Sequence, residues 1–147
     1  VADAPGPGRA LALVYAFFSL AAGARSGVQL VTEAGHAPLA YGLSAGAAAL
    51  YLIGTIAVIG VDRGRWPTSV VTIACGVELT GVLAVGTFSL AHPADFPDAT
   101  VWSHYGAGYL WIPLALPVLG LVWAYRRRAP RGANAYPPIR DSDTFRA

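Results

Sequence analysis

Four apolar runs restrict this chain more than any other feature. They cover residues 10–32 (ALALVYAFFSLAAGARSGVQLVT), 38–61 (PLAYGLSAGAAALYLIGTIAVIGV), 67–91 (PTSVVTIACGVELTGVLAVGTFSLA) and 104–125, which ends LWIPLALPVLGLVWAY. About 20 helical residues at 1.5 Å rise cross a hydrocarbon core of roughly 30 Å. Backbone in lipid must hydrogen-bond to itself, so each run is predicted to be a helix. Turn-forming stretches separate the runs: EAGHAP at 33–38, DRGRWP at 62–67 and the longer HPADFPDATVWSHYG at 92–106. Only 12% of the residues are charged, about half the share of a soluble domain. The expected fold is an all-α membrane protein, a four-transmembrane-helix bundle over residues 10–125. Residues 1–9 form a short N-terminus, and 126–147 (RRRAPRGANAYPPIRDSDTFRA) a polar tail predicted to be disordered.

Arginine placement sets the predicted topology. There is no lysine, and of the ten arginines nine fall on one side: Arg9, Arg63, Arg65, Arg126, Arg127, Arg128, Arg131, Arg140 and Arg146. The positive-inside rule puts both termini and the 62–67 loop in the cytoplasm, and the 33–37 and 92–103 loops outside. Trp66, Trp123 and Tyr125 then mark the inner boundary, and Trp102, Tyr105, Tyr109 and Trp111 the outer one. Ala22-Gly23-Ala24 resembles a signal-peptidase site. Apolar character resumes at Val28, so the first run is read as a retained span. The Arg126–Arg128 triplet is placed at the membrane edge, against anionic lipid. Tyr136-Pro137-Pro138 is an extended-ligand pattern, for which a solvated tail is the preferred reading.

The tenth arginine, Arg25, and one carboxylate, Glu78, lie inside the apolar runs. Insertion scales charge roughly 2.5–3.5 kcal/mol for such residues, so something must offset them. Arg25, Gln29 and Glu33 follow one another at i, i+4 and i+8, a polar stripe on one face of the first helix. Glu78 sits near mid-membrane, where a carboxylate is either protonated or paired. The first and third helices run the same way, and their register places Arg25 about 6 Å along the axis from Glu78. The expectation is an Arg25–Glu78 pair with Gln29 beside it, acting as a structural lock or as an ion or proton site.

Other features carry weaker signals. Gly23 and Gly27, and Gly42 and Gly46, form two GxxxG spacings that suit close approach of the first two helices. Pro113 and Pro117 predict a kinked fourth helix. His92, Asp95, Asp98 and His104 are metal-ligand types in one loop, but their spacing matches no strong metal pattern, and a solvated loop is preferred. The single cysteine, Cys75, excludes an intramolecular disulfide or a CxxC pair and reads as a small packing residue. The formal net charge of +2 gives no case for a nucleic-acid partner. No HExxH, GxSxG or phosphate-loop motif is present, and no cofactor is expected.

The stretch FPDATVWSHYGAGYLWIPLALPVLGLVWAYRRR, with VELTGVLAVGTFSL before it and GARSGVQL in the first helix, resembles small four-helix integral membrane proteins of high-GC Gram-positive bacteria, a group with no assigned activity. The resemblance covers about residues 10–128 and implies membrane location and four spans. The expected role is a non-enzymatic structural or accessory component of the plasma membrane, partnered by the bilayer and by itself or a larger complex. The alternative is an oligomeric small-solute or proton transporter or channel subunit built on Arg25 and Glu78.

Overall fold

The computed structural model describes residues 6–33 and 35–128. Of the expected polar tail, Arg126–Arg128 are instead helical, because they continue the fourth helix, and the rest, with Arg131, Arg140, Arg146 and the Tyr-Pro-Pro segment, lies outside the described residues. Among the described residues every regular element is helical: α1 (Pro7–Thr32), α2 (Pro38–Asp62), α3 (Thr68–Ala91) and α4 (Ile112–Arg128), with 3₁₀ turns at Pro93–Asp95 and Ser103–Tyr109. Pro7 and Pro38 open their helices, where a missing backbone N–H removes no intrahelical bond. The first three helices are long and apolar enough to cross a membrane, and the Ser103–Tyr109/α4 pair, bent between its two parts, makes a fourth only if counted as one span.

The first three helices are apolar over most of their surface, and the inward faces mix small residues with the buried rings of Tyr15, Phe18, Tyr41 and Tyr51. On α1 the buried positions are Gly8, Leu11, Ala12, Tyr15, Phe18, Ala22 and Ser26, spaced three or four apart. Leu13, Phe17, Leu20, Val28 and Val31 of the same helix face out. This inversion of the soluble pattern suits lipid, where burying apolar surface brings little gain and close packing of small groups drives association. Several Ser and Thr hydroxyls within the helices are satisfied by their own backbone, while Ser19 of α1 donates to the Ala48 carbonyl of α2 (3.0 Å). Ser26 donates to the Ala22 carbonyl (2.8 Å), and Thr55 to that of Tyr51 (2.8 Å).

The bundle has a basic end and an acidic end. At the first, Arg127 bonds the Asp62 carboxylate (2.5 Å) and the Val61 carbonyl (3.2 Å), tying α4 to α2. Arg128 donates to Thr68 (2.8 Å) and Thr72 (2.9 Å), tying α4 to α3. Arg127 also stacks over Trp123, 4.7 Å from the ring centre. At the other end the Tyr41 hydroxyl donates to Asp98 (2.5 Å) and lies 3.3 Å from Glu33.

The fourth span departs from expectation. A continuous helix over 104–125 is not formed; α4 begins at Ile112 and turns 99° from the Ser103–Tyr109 segment. Pro113 therefore sits in the first turn of α4 rather than at a kink, and only Pro117 is internal. His104, Tyr105, Gly106, Leu110 and Trp111 all have positive φ. Four of these are not glycine, and such residues persist only where the surroundings hold them. Part of the expected loop also folds inward: Thr100, Val101, Trp102 and Ser103 are buried. Thr100 and Ser103 cap each other, the Thr100 N–H donating to Ser103 Oγ (2.8 Å) and the Trp102 N–H to Thr100 Oγ1 (3.1 Å). Their polar groups are thereby satisfied below the surface.

Candidate functional site

Glu78 is the buried carboxylate of the bundle, 1% exposed on the inner face of α3. Its partner comes from α1: the Tyr15 hydroxyl donates to Glu78 Oε2 at 2.7 Å. The same hydroxyl lies 3.5 Å from Cys75 Sγ, one turn before Glu78. Glu78 Oε1 has no hydrogen-bond partner among the described residues. A buried acceptor without a donor is rare and destabilising, which makes this atom the main unmet polar demand of the core.

Two glycines let the four helices meet here. A Cβ at Gly54 of α2 would lie 2.9 Å from the Tyr15 ring, so only glycine leaves room for that ring. A Cβ at Gly120 of α4 would overlap Cys75 Sγ. Tyr15, Gly54, the Cys75–Glu78 turn and Gly120 thus contribute one element each from α1 to α4. A second buried link lies beside them: the Trp102 indole N–H donates to the Tyr51 hydroxyl at 2.9 Å. Tyr51 also packs tilted against Tyr15, with ring centres 6.3 Å apart. Trp102 fits against Gly81, where a Cβ would come within 2.7 Å of its ring. The inward fold of the 100–106 segment is therefore anchored on α2 and α3.

The expected Arg25–Glu78 pair is not formed. Arg25 is exposed, and its guanidinium donates to the Tyr109 hydroxyl and to the Ala99 carbonyl (3.3 Å). The only ion pair among the described residues is Arg127–Asp62. The physical reason is that the inward-folded segment brings acceptors to Arg25 at the acidic end, so the guanidinium need not reach down the bundle. Gln29, half-buried, makes no side-chain hydrogen bond among the described residues, and Glu33 meets Tyr41 rather than Arg25. The i, i+4, i+8 stripe is thus divided among separate partners.

The glycine pairs also behave differently from expectation. Gly23 makes an ordinary contact, with its built Cβ 3.7 Å from Ala48 Cβ, while Gly27, Gly42 and Gly46 face open space. Close packing is instead glycine against aromatic ring or sulfur, at Gly54, Gly81 and Gly120. The loop histidines and aspartates do not converge. His92 stacks on Phe88 (4.6 Å), Asp98 accepts from Tyr41, and the His104 backbone N–H donates to Ser89 Oγ (3.0 Å). Asp95 is exposed in the first 3₁₀ turn. No group of three or more His, Cys, Asp or Glu placed to hold a metal occurs among the described residues.

Tyr15 and Tyr51 escaped the sequence reading, and Trp102, expected in the outer aromatic belt, is instead buried because its indole has the Tyr51 hydroxyl to bond and Gly81 to lie against. The available signal was a pair of phenol hydroxyls midway along two apolar runs, which must find partners when buried. The chain matches no protein-family model, no curated protein and no solved structure.

Proposed function

We propose that this chain is a small four-span protein of the plasma membrane, both ends cytoplasmic, serving as a non-enzymatic structural or accessory component of a membrane assembly. Gathering of Arg63, Arg65 and Arg126–Arg128 at one end of the bundle supports the orientation by the positive-inside rule. The observation that carries the structural role is the Tyr15–Glu78 bond, packed between glycines where four helices meet. It joins α1 to α3, which are not neighbours in sequence, and so acts as a hydrogen-bonded lock.

The lock has a direct test. Removing one partner of a buried polar pair strands the other, whereas replacing both by apolar groups of similar shape is close to neutral. Tyr15→Phe alone is expected to lower stability by about 1–3 kcal/mol. The double variant Tyr15→Phe/Glu78→Leu is expected to restore it, with the native oligomeric migration and the partners recovered on purification unchanged. A folded, correctly assembled double variant that has lost the protein's cellular role would sink the structural reading.

One observation favours a second reading. The unpartnered Glu78 Oε1 is where a translocated proton or small cation would bind in an oligomeric transporter or channel subunit. This site would rest on Glu78 with Tyr15, without Arg25. Proton flux into dye-loaded proteoliposomes, present for the native chain and abolished by Glu78→Gln, would favour it over the lock.

A further inference from the structure

A groove of about 330 Å³ opens between the first half of α1 and the second half of α2, at the basic end of the bundle. Arg9, in the first turn of α1, and Arg63, which caps α2, stand at its mouth. Ala12, Leu13, Ala16 and Ile59 line it further in. From Arg9 to Ala16 is seven residues, or about 10 Å at helical rise. The groove therefore runs from the level of the interface into the apolar depth of the bundle. Ala12 and Ala16 make the furrow, and Leu13 and Ile59 wall it.

The charges at the mouth are unequal. Asp62 lines the groove and is the one opposing charge there, but its carboxylate is engaged by Arg127 from α4. The side chains of Arg9 and Arg63 form no ion pair or hydrogen bond among the described residues. Among the described residues three positive groups, Arg9, Arg63 and Arg127, thus face one negative group, and two guanidiniums remain to receive an anion. A cleft that is basic at one end and apolar along its length matches an amphiphile. Inorganic phosphate would leave the apolar walls uncovered, and a neutral lipid would leave the arginines unmatched. The volume lies at the low end of ligand pockets, roughly 300–1,000 Å³, enough for part of one acyl chain while the rest stays in the bilayer.

We propose that this groove binds one anionic phospholipid of the inner leaflet, with its phosphate between Arg9 and Arg63 and an acyl chain along Ala12 and Ala16. The inference rests on the proposed orientation, because the negative surface potential belongs to the cytoplasmic leaflet. Cysteine-accessibility mapping of the termini tests that orientation separately, so failure of one is distinguishable from failure of the other.

The experiment is native mass spectrometry of the full chain released from detergent, titrated with phosphatidylglycerol, phosphatidylcholine or inorganic phosphate. One retained phosphatidylglycerol per chain is expected, with phosphatidylcholine and phosphate held far more weakly. Arg9→Gln and Arg63→Gln should each reduce retention about five-fold, following the weight of one arginine at a lipid surface. Ala16→Leu should reduce it by filling the furrow with both charges intact. Arg126→Gln, outside the groove, should leave it unchanged. Equal retention of phosphatidylglycerol and phosphatidylcholine would overturn the proposal. So would equal loss in Arg126→Gln and Arg63→Gln, or retention of phosphate as strong as that of the lipid.

Discussion

Gly120→Ala tests the packing that holds the central site together. The added methyl would overlap Cys75 Sγ, while standing at ordinary contact distance from Tyr15 Oη (3.5 Å) and Cys75 Cβ (3.7 Å). The clash is therefore with one sulfur atom. That sulfur is fully buried and cannot swing away into lipid. Forcing an extra methyl into a packed core costs about 1–3 kcal/mol. Cys75→Ala alone removes one buried heavy atom and costs on the order of 1 kcal/mol. In Gly120→Ala/Cys75→Ala the two β-carbons would meet at ordinary contact distance, so the double variant should be less destabilised than the sum of the single ones. A coupling of about 1 kcal/mol or more is expected, as for residues in direct contact. The assay is reversible unfolding in mixed micelles, followed by circular dichroism, for all four proteins. Strict additivity, or a Gly120→Ala variant as stable as the native chain, would refute the idea that this glycine exists to admit Cys75.

Three further outcomes are expected. Arg25→Ala should lower stability by no more than about 1 kcal/mol, because its bonds to Tyr109 and Ala99 are exposed; a loss of roughly 3–5 kcal/mol, the signature of a broken buried ion pair, would contradict the separation of Arg25 from Glu78. Gly81→Ala should expel Trp102 and break its bond to Tyr51, seen as faster proteolytic nicking within residues 92–111; unchanged nicking would mean that the segment is not held by this contact. Cys75 should react with a water-soluble maleimide only after the protein is unfolded in strong detergent, and rapid labelling of the native bundle would place water beside Glu78.

The limits of the first three helices were legible because they depend on local chemistry. The runs 10–32, 38–61 and 67–91 became Pro7–Thr32, Pro38–Asp62 and Thr68–Ala91. The fourth was not, because residues 104–111 (HYGAGYLW), counted into the apolar run, bend against α3, where the His104 N–H meets Ser89 and the Tyr105 ring lies on Gly86. The indole of Trp102 has a hydroxyl to reach and a glycine to lie against. No periodicity within 92–111 encodes either.

The same division holds for the candidate site. Composition and run length determined that the described residues would be helical, with every described arginine but Arg25 at one end, because hydrogen bonding and charge act along the chain itself. They also singled out Glu78 as a group that must find a partner. Which partner it found was decided only in three dimensions. Arg25 met Tyr109 and a backbone carbonyl at its own level of the bundle, and Glu78 met Tyr15, the nearest hydroxyl. A charge in an apolar run announces a need for pairing, but helix rotation and the folding of the 100–106 segment determine what lies within 3 Å of it.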